Sequence, residues 1–154
     1  MGALWLVCDV SGSMLEGGKR LVVRSLVREV EQYIRLGYGT KPDIRLVAWR
    51  DDAKCLAWST GDEVPADLFD CENSADGEAL VQLLGDQADD RFIVLTDGFW
   101  PDESRAVIKR WKAGLGRDAL RVIKVGADAN PRLNGPDVFE AEDFFAAMDG
   151  WLDE

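Results

Sequence analysis

The sequence predicts an α/β fold: a doubly wound, mostly parallel sheet with helices on both faces and one antiparallel edge strand. Three observations carry this. Apolar runs of strand length alternate with segments of helical periodicity along the whole chain. The runs Leu4–Cys8 and Phe92–Leu95 are continuously apolar, as strands covered on both faces require. A length of 154 residues with 47% hydrophobic residues suits one domain over 1–154, large enough to bury roughly two-thirds of its unfolded surface.

The elements follow in order. Residues 3–8 form the first strand, and Gly17-Gly18 mark the turn after it. Over 19–36, Val23, Leu26, Val27, Val30, Tyr33 and Ile34 recur at helical spacing, and Gly37, Gly39 and Pro42 end that helix. Ile44–Trp49 is the second strand, with Lys54–Trp58 its hairpin partner across Asp51-Asp52. A polar loop over 59–73 carries a helical turn at Ala66–Phe69, and a short helix over 76–84 turns Ala79, Leu80, Leu83 and Leu84 inward. Phe92–Leu95 is a buried strand ending in Thr96-Asp97-Gly98. Pro101 opens a helix over 102–113 that buries Val107, Ile108 and Trp111. Leu120–Val125 is the next strand, a short strand lies near Val138-Phe139, and a last helix over 141–152 buries Phe144, Met148, Trp151 or Leu152.

Composition removes several function classes. A net charge of −11 argues against nucleic acid and against anionic membrane surfaces. The chain has no histidine, so Ser-His-Asp and Cys-His catalysis and His-ligated zinc are excluded. Cys8, Cys55 and Cys71 lack CxxC spacing, and Cys8 reads as a buried small hydrophobe. The opening residues show no signal-peptide pattern and no apolar run has membrane-spanning length, so the expected home is a reducing cytoplasm.

Chemistry concentrates at Asp9-Val10-Ser11-Gly12-Ser13-Met14, directly after the first strand. A carboxylate and two hydroxyls at alternate positions give hard oxygen donors on one side of a turn, which suit Mg²⁺ or Mn²⁺ better than zinc or copper. Asp97 ends the Phe92–Leu95 run in the same way. In doubly wound sheets ligands gather beyond the carboxyl ends of the strands, where strand order reverses. If these two strands are neighbours, Asp9, Ser11, Ser13 and Asp97 share one rim, and Ser74, before a short helix, can reach it. Two close carboxylates repel, and a divalent cation relieves that repulsion. The hydroxyls can ligate directly while the carboxylates hold metal-bound waters. The same Asp and Ser residues also suit turn and helix caps, Ser74 above all.

With these residues in view, the chain resembles the von Willebrand factor A family. Asp9-x-Ser11-x-Ser13 resembles the DxSxS signature of its metal-ion-dependent adhesion site, Ser74 its threonine position, and Thr96-Asp97-Gly98 its second aspartate. The resemblance implies a Rossmann-like sheet and a cation with one coordination position open for a partner's Asp or Glu. Two departures stand out. Ser74 lacks the methyl that stiffens threonine, with Asp76 an alternative or second-shell oxygen donor. Phe99-Trp100 is a bulky apolar pair read as the partner-binding rim, although Trp100 also suits a core or lid.

The expected function is a Mg²⁺-dependent protein-binding module, without enzyme activity, serving as accessory or scaffold in a cytoplasmic complex. Small family members resemble accessory proteins of MoxR-type ATPase and tellurium-resistance-type systems. The alternative is a Mg²⁺-dependent metallohydrolase or phosphatase on the Asp9/Asp97 rim. An aspartyl-phosphate phosphatase needs a carboxylate where Ser11 stands, and a phosphate-binding loop needs a lysine where Gly18 stands.

Overall fold

The computed structural model describes residues 2–37, 39, 41–87 and 89–153. Among them six strands form one sheet: β1 Leu4–Asp9, β2 Ile44–Trp49, β3 Ala53–Cys55, β4 Arg91–Thr96, β5 Leu120–Lys124 and β6 Val138–Glu140. Their order is β3-β2-β1-β4-β5-β6, parallel throughout except for β3, which runs antiparallel to β2 at one edge. The helices are α1 Lys19–Leu36, α2 Gly77–Leu84, α3 Asp102–Ala113 and α4 Phe144–Met148.

Every residue of β1 is buried, because the strand lies mid-sheet and side chains point to alternate faces. Leu4, Leu6 and Cys8 join the α1 and α4 side, where Val23, Leu26, Val27, Val30, Phe144 and Met148 converge. Trp5 and Val7 join the other face, where Leu80, Leu84, Ile108 and Trp111 supply the cover. The apolar stripe of α1 is thus the stripe its sequence period marks out, with Tyr33 only half-buried at its end.

Two elements differ from the sequence expectation. The edge strand starts one residue earlier than Lys54 and stops at Cys55, although Leu56 still donates its N–H to the Leu46 carbonyl at 2.8 Å. A short, charged edge strand deters pairing with other chains. The expected last helix is broken. A 3₁₀ turn at Ala141–Asp143 leads into α4, and Gly150, with φ 71°, reverses the chain before a second turn at Trp151–Asp153. A straight helix could not bring Trp151 where it is. Its indole sits in the core, donates from Nε1 to the Asp118 carbonyl at 2.7 Å, and lies under the Arg121 guanidinium at 5.0 Å.

Trp151→Ala should therefore destabilise the fold by about 3–5 kcal/mol in urea unfolding. Phe145→Ala, six residues earlier on the exposed side of α4, should change stability by about 0.5 kcal/mol or less. Equal losses at the two positions would contradict the burial pattern.

Candidate metal centre at the rim of β1 and β4

Strand order turns at β1. The chain leaves β1 for β2 on one side, and β4 then pairs with β1 on the other. Cys8 lies opposite Leu95 in the parallel ladder, so Asp9 and the Thr96-Asp97 step emerge side by side at the carboxyl rim. This is the switch point at which doubly wound sheets bind ligands. Both carboxylates are deeply buried, with Asp9 1% and Asp97 0% exposed.

Each oxygen of Asp9 is engaged. Oδ1 accepts from the Ser11 N–H at 2.9 Å and the Ser11 hydroxyl at 2.6 Å. Oδ2 accepts from the Thr96 hydroxyl at 2.6 Å, whose own oxygen accepts from the Gly98 N–H and from Trp100 Nε1, each at 2.9 Å. Gly98 supplies the turn with φ 79°. Asp97 Oδ1 accepts from the Phe99 N–H at 3.2 Å. Ser13 Oγ, by contrast, is buried with no hydrogen-bond partner among the described residues. A buried polar atom left unmatched is costly and calls for a ligand.

Burial pushes the Asp9 carboxyl well above the ordinary carboxylate range; the Ser11 and Thr96 hydrogen bonds pull it back, and the charge of Asp97 adds to the rise. A carboxyl raised on folding stabilises the fold below its unfolded pKa, and that contribution is lost as pH rises through the folded value. Ionising Asp9 therefore costs the fold more than ionising an exposed carboxyl, and a cation beside it would offset that cost. Among the described residues no three His, Cys, Asp or Glu side chains converge as a metal cluster, so hydroxyls have to complete any donor set. Asp9, Asp97, Ser11 and the unmatched Ser13 Oγ fit a hard divalent cation in that respect.

Sequence reasoning missed Lys19. The first residue of α1 is 1% exposed, and its ammonium reaches Asp97 Oδ2 at 3.0 Å, Asp128 Oδ1 at 3.1 Å and the Ser13 carbonyl at 3.4 Å. Burial alone would lower its pKa, but the hydrogen bonds and charges of Asp97 and Asp128 raise it above the usual lysine value. The ammonium is charged. A signal was present: Lys19 stands four residues before Val23 on the apolar stripe of α1, facing the protein.

The remaining candidates separate. Gly12 donates its N–H to the Asn73 carbonyl at 2.9 Å, so the loop before α2 abuts the Asp9–Ser13 loop. Yet Ser74 is exposed and lines a neighbouring cleft with Asp51, Asp76 and Ser104. Asp76 caps α2, accepting from the Glu78 N–H at 2.9 Å. Trp100, expected on the partner-facing rim, is instead a core residue: 8% exposed, packed edge-on against Trp49 at 5.5 Å between ring centres, and tied to Thr96. The tight turn at Gly98 sends it back under the sheet. Phe99 alone faces solvent, 46% exposed, with its ring centre 5.7 Å from Lys19 Nζ.

No family model matches the sequence, and no curated protein matches it. Solved structures do. Manganese-loaded TRAP protein from Plasmodium vivax aligns with a TM-score of 0.67 at 14% identity, covering 99% of this chain and 73% of that one. An aerotolerance-related membrane protein from Bacteroides fragilis gives 0.54 at 17%, covering 82% and 68%. BatB from Bacteroides thetaiotaomicron gives 0.54 at 17%, covering 80% and 66%. At such identities the likeness is one of fold: the strand order and the mostly parallel sheet are those of a Rossmann-like, von Willebrand factor A-type α/β fold.

Proposed function

We propose that this chain is a protein-binding module whose contact is made through a divalent cation, Mg²⁺ or Mn²⁺, held by Asp9, Ser11, Ser13 and Asp97. The observation that carries the reading is Ser13 Oγ, buried and unmatched on the loop that directly follows buried Asp9, whose strand pairs with the one leading to buried Asp97. The manganese in the Plasmodium vivax TRAP structure supports it from a neighbour of the same fold. When bound, the cation supplies a point charge that attracts a carboxylate from a partner's Asp or Glu. The chain's own residues do the rest. Ser11 donates to Asp9 and so keeps its hydroxyl lone pairs free as acceptors, Thr96 donates to the other Asp9 oxygen, and Phe99 offers exposed apolar surface next to the rim.

The role is one of binding and not of hydrolysis. The chain has no histidine, and the carboxylates at the rim are committed to hydroxyl, amide and ammonium partners rather than poised to take a proton from water. None of the helices is long and apolar enough to cross a membrane among the described residues, and the cysteines are free thiols. Those features support service as an accessory or scaffold protein in the cytoplasm. A complex with an ATPase of the MoxR type or a tellurium-resistance-type system is the kind of assembly this role fits.

Millimolar Mg²⁺ or Mn²⁺ should raise the Tm, since a ligand at ten times its Kd adds about 1.4 kcal/mol to stability. Asp9→Asn removes the buried charge but also turns one of two accepting oxygens into an amide donor facing Ser11 or Thr96, so it should fold with a Tm lowered by the equivalent of about 1–3 kcal/mol and lose the response to the cation. Differential scanning calorimetry checks both; a wild-type Tm indifferent to either ion would end the cation reading.

Phe99→Ala should weaken capture of a partner by about 2 kcal/mol, the loss typical of an aromatic at the heart of an interface, with cation binding unchanged. Trp100→Ala should instead lower stability by about 3–5 kcal/mol. Binding measured after a pull-down with and without chelator, alongside urea unfolding of both variants, separates the two roles. A Phe99→Ala variant as unstable as Trp100→Ala would remove Phe99 from the partner surface.

A further inference from the structure

We propose that Lys19 competes with the divalent cation for Asp97, and that Asp128 is the carboxylate to which its ammonium withdraws when the cation enters. This rests on the cation reading of the rim and sets the affinity of that site. Asp97 Oδ1 is held by the Phe99 N–H, which leaves Oδ2 for a cation, and Lys19 Nζ occupies it at 3.0 Å. The same ammonium lies 3.4 Å from the main-chain carbonyl of Ser13, the residue whose hydroxyl has no partner. It therefore sits at the mouth of the donor set, not at a distance from it.

Charge balance makes the two cations exclusive. Asp9 and Asp97 together match one divalent ion, and a lysine left between them and that ion would be repelled by it. Asp128 offers the exit. Its Oδ1 and Oδ2 already stand 3.1 and 3.2 Å from Nζ, and its side chain is 62% exposed on the loop after β5. The ammonium need only trade a shared position for one on Asp128 alone, a short rotation within a flexible four-carbon stem. The stem has room because residue 126 is glycine: a Cβ there would lie 2.7 Å from Lys19 Cε. With the cation absent, Lys19 keeps Asp97 neutralised and the rim closed. With it present, Ser11, Ser13 and Asp97 would hold the positive charge in place of the lysine, and a partner's carboxylate could meet it there.

Calorimetric titration with Mn²⁺ alone tests this on the full chain, its Lys19→Met and Asp128→Asn variants, and the double variant. Lys19→Met should bind Mn²⁺ at least tenfold more tightly than the wild type. Asp128→Asn should bind at least threefold more weakly, yet leave affinity unchanged in the Lys19→Met background, because Asp128 acts only through Lys19. Equal Mn²⁺ affinity in wild type and Lys19→Met overturns the competition and leaves the cation site standing. Weakening by Asp128→Asn in both backgrounds overturns it too, since Asp128 would then be a ligand. Absence of Mn²⁺ binding in every variant overturns both readings together. Lys19→Met strips a buried carboxylate of its partner and is liable to unfold, so a second measurement uses the unaltered chain. The Lys19 ammonium resonance in ¹⁵N-lysine-labelled protein should shift as Mg²⁺ saturates the site, and a resonance that stays put at saturation overturns the proposal.

Discussion

Parallel pairing of β1 with β4 brings two aspartates to one rim, and much of the local structure follows from the need to neutralise them. Unlike charges at the surface, buried carboxylates gain little from solvent, and burial first, with the charge of Asp97 adding to it, raises the cost of ionising Asp9. The protein answers in two ways. Hydroxyls from Ser11 and Thr96 and main-chain N–H groups at Ser11 and Phe99 surround the carboxylate oxygens. Lys19 then reaches across from α1 to supply a positive charge. Trp100 is drawn in by the same demand, because its indole N–H completes the hydroxyl of Thr96 from beneath.

The position of α1 is tied to that rim from its first residue. Lys19 lies at one end of a helix whose buried stripe runs on through Val23, Leu26, Val27, Val30 and Ile34. Core packing and site electrostatics thus share an element: the helix that covers one face of the sheet also delivers the ammonium. Gly126 belongs to the same arrangement, with φ 97° and no side chain to obstruct the lysine stem. A cation bound at the rim, as proposed, would therefore act on α1 directly through the Lys19 side chain.

Much of this was legible in the sequence, for reasons that particular residues make plain. Helix α1 occupies 19–36 as read, because glycines and Pro42 bound a long amphipathic pattern. Asp9 and Asp97 were visible because each ends an apolar run, and strand adjacency then did what the switch-point rule requires. The edge strand and the final helix were read less well, since their limits depend on tertiary contacts such as the Trp151 bond to Asp118. Trp100 stayed open between rim and core because its direction is set by one glycine turn and by Trp49, a residue a third of the chain away. Lys19 escaped because a lysine beginning a helix normally faces water; its place on the apolar stripe was the local sign, and Asp97 and Asp128, distant in sequence, answer its charge.

The most direct measurement is the anomalous diffraction of crystals grown with Mn²⁺. A cation-centred rim predicts one anomalous peak within ligand distance, about 2.1–2.3 Å, of the Ser11 and Ser13 hydroxyl oxygens, with Lys19 Nζ moved off Asp97 onto Asp128. Crystals that show no peak at the rim, with Lys19 still bonded to Asp97 at saturating Mn²⁺, would contradict it and leave the lysine as the site's permanent cation.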